Sequence, residues 1–415
     1  MRTDAGSLFG RMRPFLYRCK VALLAGLKLL CVLPIALPML AVLYLCEPFY
    51  RIRFCHFGSV KRIGSLAVVP DYYLRLWTRE GKPARTLLIF VMHSPANRPL
   101  MDMYERLITI WESRTIDWLL SAMGPIFRLT RFNDARWLNY HSPRLFGPQV
   151  FLSFTPEEDA RGKDFLRSLG MAPDAWFVCF HAREPEYYDK INVPAFEKKI
   201  HAARNGNPFY YLEAAKIVAE RGGYAIRMGA GVVTRLPQER PPQVIDYAYE
   251  NYDAFADIYL SAKCKFFLGN TAGIVCVPSV LRRPTAIANQ MPPSGTPLGP
   301  NDPWIPMLVR HLPSGRLISF RDVWDLGLFA SDLTSEKIFD IMTEEQLVWQ
   351  ENTPEEISDL CLDTFDVVDN RPPPAGAREL QEYYRRRFHS HFPDWESRPF
   401  ISARFALRHA ALIAD

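Results

Sequence analysis

Several short apolar runs after residue 175 end in residues that suit a bound anion. FVCFH leads into His181, Ala182, Arg183 and Glu184, and YAIRMG carries Arg227 and closes on Gly229. CKFFLG ends in the turn Gly269-Asn270-Thr271-Ala272-Gly273, which opens a helix-like stretch, and TAIAN ends on Asn289. Ligands of parallel sheets bind beyond the carboxyl ends of the strands. Unpaired N–H groups at a helix start favour negative charge. Glycine and alanine let a ligand approach the backbone, and arginine offers paired donors to phosphate oxygens. The set suits a nucleotide diphosphate. Plainer readings stand beside it. Arg183 and Arg227 also fit ion pairs, and Arg227 lies inside its strand, where a structural salt bridge is a serious rival. His181 also fits a buried, hydrogen-bonded role, and GNTAG a simple tight turn.

Other chemistry is missing from the sequence. There is no GxxxxGK[ST] loop, no HExxH and no GxSxG elbow. Gly229-Ala230-Gly231 is only a fragment of GxGxxG, and no Asp-x-Asp pair is found to hold a divalent cation. We therefore expect no metal and no cofactor beyond the nucleotide substrate, with protein cations stabilising a leaving diphosphate. A proton acceptor is sought among Glu184, Glu186 and Asp189 after the first strand, or His93 and Asp102 in the first half.

The elements that must position these groups alternate. Strands are expected at 65–69, 86–92, 176–182, 224–229, 243–246, 264–269 and 285–289. Helices are expected at 71–79, 99–113, 155–169, 208–221, 253–262 and 272–281. Thr155 and Glu158 have capping-box spacing. The pattern predicts an α/β protein with parallel sheets covered on both faces. Two series point to two Rossmann-like domains facing one another: 55–172 on the acceptor side and 173–370 on the nucleotide side. Pro372, Pro373 and Pro374 then lead to a basic tail helix within 371–415, containing Arg385, Arg386 and Arg387.

Composition excludes broad classes. The 415 residues are 48% hydrophobic and 23% charged, which rules out disorder over the whole length. A net charge of +5 is too small to indicate nucleic acid. Only one long uncharged apolar run exists, LLCVLPIALPMLAVLYLC at 29–46, so a many-pass transporter is excluded. That run predicts membrane attachment by residues 1–54, with a fully buried core helix as the plainer reading. Basic residues on both flanks give no orientation. Pro34 and Pro38 predict a kink, so a single span and a re-entrant dip both remain open.

FVCFHARE (177–184), YAIRMGAGV (224–232) and DIYLSAKCKFFLGNTAGIVCVPSVLRRPTAIAN (257–289) resemble a family of bacterial glycosyltransferases, distantly similar to fucosyltransferases of the GT-B fold. KRIGSLAVVPDYYLR (61–75), LSFTPEEDARGKDFLRSLGM (152–171) and NDPWIP (301–306) extend the likeness over about 55–375. It implies a GT-B enzyme moving a sugar from a nucleotide sugar to a glycan or lipid-linked glycan, in polysaccharide biosynthesis at the cytoplasmic face of the inner membrane of a bacterial envelope. Nucleic acid is not an expected partner. The resemblance gives Arg183 the donor diphosphate, and Asn270, Thr271, Ala272 and Gly273 phosphate or ribose. Arg227 and Gly229 match the family's RMG strand end. One departure is Ala203-Arg204-Asn205-Gly206-Asn207, where the family often has a Tyr-Arg-Asn/Asp-Ser run. A non-catalytic, GT-B-like glycan-binding or scaffold protein is the alternative.

Overall fold

The computed structural model describes residues 26, 28, 30–57, 60–136, 147–186, 198, 201–291, 299–328, 334–389 and 399–414. Two compact units emerge. The first takes in the described residues up to Lys61, with 77–95 and 105–136; the second takes in 62–76, 96–104 and the described residues from 147 onward.

The first unit is built on three parallel strands, β1 (Arg51–His56), β2 (Thr86–Met92) and β3 (Thr109–Glu112), in the order β1-β2-β3. TLLIFVM is the central strand, and its last five residues are buried. A helix over 30–46 passes through Pro34 and Pro38 without interruption. Val32, Ala36, Leu40 and Leu43, three to four residues apart, place one face of it in a core with Phe54, Ile89, Val91, Leu120, Phe127 and Phe132. Each such aliphatic side chain, fully buried, is worth about 1.5–3 kcal/mol. Among the described residues no helix is long and apolar enough to cross a membrane.

The second unit holds a six-stranded sheet, β4 (Phe177–His181), β5 (Tyr224–Arg227), β6 (Val244–Ile245), β7 (Phe267–Gly269), β8 (Thr285–Gln290) and β9 (Trp304–Pro306). The order is β6-β5-β4-β7-β8-β9, and every pairing is parallel. A separate antiparallel pair joins β10 (Leu308–His311) to β11 (Leu347–Gln350). Because helices cover the parallel sheet, its strands are continuously apolar rather than alternating. Val178, Phe180, Ile226, Leu268 and Ile287 pack with Ala214 and Val218 of the helix Leu212–Glu220 and with Leu360 and Phe365 of the helix Pro354–Val368. The Thr155 capping box forms: Thr155 Oγ1 accepts from Glu158 N at 3.2 Å and Glu158 Oε2 accepts from Thr155 N at 2.8 Å.

Several local expectations fail for identifiable reasons. The strand at 65–69 and the helix at 71–79 are one helix, Ile63–Glu80, with Pro70 inside it. A helix buried on most sides is apolar all round, and its short apolar runs imitate strands. Tyr104 Oη donates to the Ala67 carbonyl at 2.6 Å, close to the proline that withholds a donor. The helix expected over 99–113 stops at Glu105, and the last residues form the exposed edge strand β3. The basic tail does not stand apart. Tyr384 and Phe388 of the helix Ala377–His389 are buried in the main core with Phe405 and Ile413, and Arg385 pairs with Glu382 and lies over the Phe400 ring.

Candidate anion-binding site

Strand register builds one edge of the second unit's sheet. Pairing β4 with β7 sets His181 against Gly269, and pairing β4 with β5 sets Phe180 against Arg227. The residues expected from the strand ends therefore share the carboxyl edge. They divide into two groups.

In one group the cation is paired with carboxylates of the protein itself. Arg227, fully buried, forms ion pairs with Glu184 and with Asp246 at 3.1 Å, and donates to the Thr234 carbonyl at 2.6 Å. Glu184 Oε2 accepts from Val233 N at 2.9 Å and Thr234 N at 3.1 Å, and Asp246 Oδ2 accepts from Leu236 N at 2.8 Å. These charges hold the 233–236 loop on the strand ends. His181 belongs beside them. Its Nδ1 lies 2.8 Å from the Met228 carbonyl, so the proton sits on Nδ1 in the neutral ring. Burial, reinforced by the charges of Arg227 and Arg183, lowers its pKa from 6.5 to about 4. Gly229 makes room for that ring: its φ is +130°, and a Cβ there would stand 2.7 Å from His181 Nδ1.

The other group is rich in cations and turn backbone. Asn270, fully buried, accepts from Arg183 N at 3.2 Å and donates to the Arg204 carbonyl at 3.0 Å. The Arg183 guanidinium donates to Asn205 Oδ1 at 2.9 Å and to the His201 carbonyl at 2.6 Å. Arg204 Nε donates to the Thr271 carbonyl at 3.0 Å. Thr271 Oγ1 in turn donates to the Asn289 carbonyl at 3.1 Å. Gly273 meets Gly64 in the first turn of Ile63–Glu80, where a Cβ on Gly64 would lie 3.0 Å from Gly273 Cα. The start of an 18-residue helix is thereby packed on the turn, with Arg62 just before it. His201 registers the resulting field: desolvation, then the charges of Arg204, Arg183 and Arg62, lower its pKa to about 4. Unlike Arg227, Arg204 forms no ion pair among the described residues, and its one side-chain hydrogen bond there is to a carbonyl.

Other expected residues fall as follows. Ala272 is buried within the turn. Asn289 is fully buried and exchanges two 2.6 Å hydrogen bonds with Asn352. Asp189 lies outside the described residues. Asp102 pairs with Arg98 at 2.6 Å on a half-exposed helix face. His56 at the end of β1 is hydrogen-bonded through Nε2 to Asp117 Oδ1 at 2.9 Å, whereas His93, after β2 in the first unit, has Nδ1 3.0 Å from Asp117 Oδ2 without hydrogen-bond geometry. A carboxylate-held imidazole can accept a proton from a hydroxyl.

Sequence reasoning missed Arg62, Arg204 and Glu351. Arg62 reads as one of a basic run, and Arg204 lies in irregular chain without periodicity. Glu351 Oε1 accepts from Asn207 N at 2.7 Å and lies 3.4 Å from Asn289 Nδ2; burial raises its pKa above the usual carboxylate value. It also lines a cavity of about 600 Å³ with Asn205, Met291, Met307, Met342 and Trp349. That volume lies within the range of small-molecule sites.

No family model matches the sequence, and no curated protein sequence does. The chain is similar in structure to a glycosyl transferase of family 9 from Veillonella parvula DSM 2008, at 11% identity and a TM-score of 0.39, over 72% of this chain and 97% of that one. It is also similar to the E. coli ADP-heptose lps heptosyltransferase II, at 12% identity and a TM-score of 0.42, over 71% and 98%. The E. coli heptosyltransferase WaaC, solved with ADP, is similar at 11% identity and a TM-score of 0.32, over 71% and 97%. Likeness of this degree adds no weight to the geometry.

Proposed function

We propose that the protein is a metal-independent, membrane-associated glycosyltransferase of the GT-B class. It transfers a sugar from a nucleoside-diphosphate sugar to a glycan or lipid-linked glycan acceptor, in the assembly of a bacterial envelope polysaccharide at the cytoplasmic face of the inner membrane. The supporting observation is the position of Arg204, seated on the Thr271 carbonyl with no carboxylate partner among the described residues, in a field shared with Arg183 and Arg62. Glycosyl transfer leaves a diphosphate carrying new negative charge, and preorganised cations and amides stabilise that charge. The 270–273 turn and the start of Ile63–Glu80 supply the amides. The Glu351-lined cavity is assigned to the nucleoside. Arg227 and Glu184 hold the loop that borders the site and do not touch substrate.

The test is a nucleotide screen by thermal stabilisation, which reports binding to the folded state. One of GDP, UDP or ADP should stabilise the protein more than CMP, which has a single phosphate, and Arg204→Gln should weaken that binding by about 10–100-fold, the scale of one or two charge-assisted hydrogen bonds. Unchanged affinity in Arg204→Gln would reject the site. Binding of glycan with no nucleotide would favour the scaffold reading.

A further inference from the structure

The helix over 30–46 has two faces of different fate. Val32, Ala36, Leu40 and Leu43 are buried against the first unit. The opposite face holds Leu30, Cys31, Pro34, Ile35, Leu37, Pro38, Ala41, Val42, Tyr44 and Leu45, all exposed and none of them charged. Phe49 and Tyr50, 69% and 65% exposed, continue it into the following turn. A helix lying on a water-facing surface carries polar residues on its outer side. Here both sides are apolar, so a second apolar phase covers the outer one.

Charge identifies that phase. Residues 1–61 contain nine Lys or Arg against two Asp or Glu, whereas the whole chain has 50 against 45. Arg131, with its side chain 61% exposed, stacks on the Tyr44 ring at 5.8 Å and so stands beside the exposed face. Apolar area edged by arginine and tyrosine matches an anionic bilayer surface, where rings sit at headgroup level and basic residues are drawn to the headgroups.

Geometry excludes a free span by this segment. The buried face runs from Val32 to Leu43, so this stretch of the helix lies on the unit's own core rather than free in lipid. We infer that this helix lies flat in the interface of an anionic membrane, its outer face in the lipid and its inner face on the first unit. This rests on the proposed membrane association and adds its orientation.

The full chain is tested on vesicles of phosphatidylcholine with about one third phosphatidylglycerol, against phosphatidylcholine alone. Flotation should be strong on the anionic vesicles and at least several-fold weaker on the neutral ones. Ile35→Glu with Leu45→Glu should cut partitioning by roughly tenfold or more, from lost apolar burial. Environment-sensitive labels at Leu30→Cys, Leu37→Cys and Leu45→Cys should report one shallow depth. Residue 37 at the bilayer centre, with 30 and 45 at opposite surfaces, would overturn the flat orientation. Equal binding to both vesicle types, or concentration-dependent self-association without vesicle binding, would overturn the lipid assignment, the latter in favour of a second copy. Nucleotide stabilisation measured on the same double variant keeps the two proposals apart, because the exposed helix face is not part of the donor site.

Discussion

Two arginine patches stand at the carboxyl edge of one sheet, and they differ in what neutralises them. Arg227 meets two buried carboxylates and a carbonyl. Arg204 meets a carbonyl, while Arg183 donates to an amide oxygen and a carbonyl. A buried charge without compensation is too costly to keep, so the first patch must be complete within the protein. In the second, desolvation and then the charges of Arg204, Arg183 and Arg62 already disfavour a proton on His201, and an added anion would lessen the charge part. An arginine at this edge is thus evidence of a site only where, as for Arg204 among the described residues, the protein supplies no carboxylate.

Removing one charge from the complete patch should have the largest effect. Arg227→Met leaves Glu184 and Asp246 buried with no cation, a loss of about 3–5 kcal/mol of stability. Chemical denaturation measures it, and affinity for the nucleotide among molecules still folded should change by less than about threefold. A variant of normal stability that cannot bind nucleotide would reverse the roles given to the two patches.

His181 lies on the border between them and carries the next effect. Its folded pKa of about 4 lies below the ordinary 6.5. The unfolded chain therefore binds a proton more readily between those values. The stabilisation is complete above about pH 6.5 and disappears as the pH falls through that window towards 4, to a limit of about 3 kcal/mol. Denaturation midpoints from pH 4 to 7 should rise along this limb, and His181→Asn, which keeps an N–H for the Met228 carbonyl, should make it shallower, with His201 supplying the remainder. An unchanged limb in that variant would move the acid sensitivity to other groups.

Much of the sheet was legible and the pairing was not. The apolar runs at 177–181, 224–227 and 285–290 announce buried strands, because a parallel sheet covered on both faces needs them. RIRFCH looked like a basic flank to an anchor, yet it is β1, since its arginines alternate with residues that pack inward. Pro70 and the apolar run before it disguised a single buried helix. At the site, the HARE, RMG and GNTAG segments do converge, because strand register follows from the same apolar runs. Nothing local tells Arg227 that Glu184, 43 residues away, will meet it, or tells Arg204 that none of its described neighbours will offer a carboxylate. Counter-charge is a property of the folded edge, and one-dimensional spacing does not carry it.

The smallest predicted effect is also the sharpest test of the contrast. Desolvation and then the charges of Arg204, Arg183 and Arg62 depress His201, and a diphosphate bound at the proposed site must offset the part that is due to charge. The His201 pKa should then rise from about 4 by at least about one unit on saturation with the nucleotide that the screen selects. Imidazole resonances followed by NMR across pH 3–8 read this directly. His181 serves as the internal control. It is buried deeper, and Glu184 and the Met228 carbonyl already favour its charged form. Its shift should be smaller than that of His201. Equal movement of both rings would mean that the anion sits over Arg227 as well. Movement of neither would leave the second patch as structural as the first.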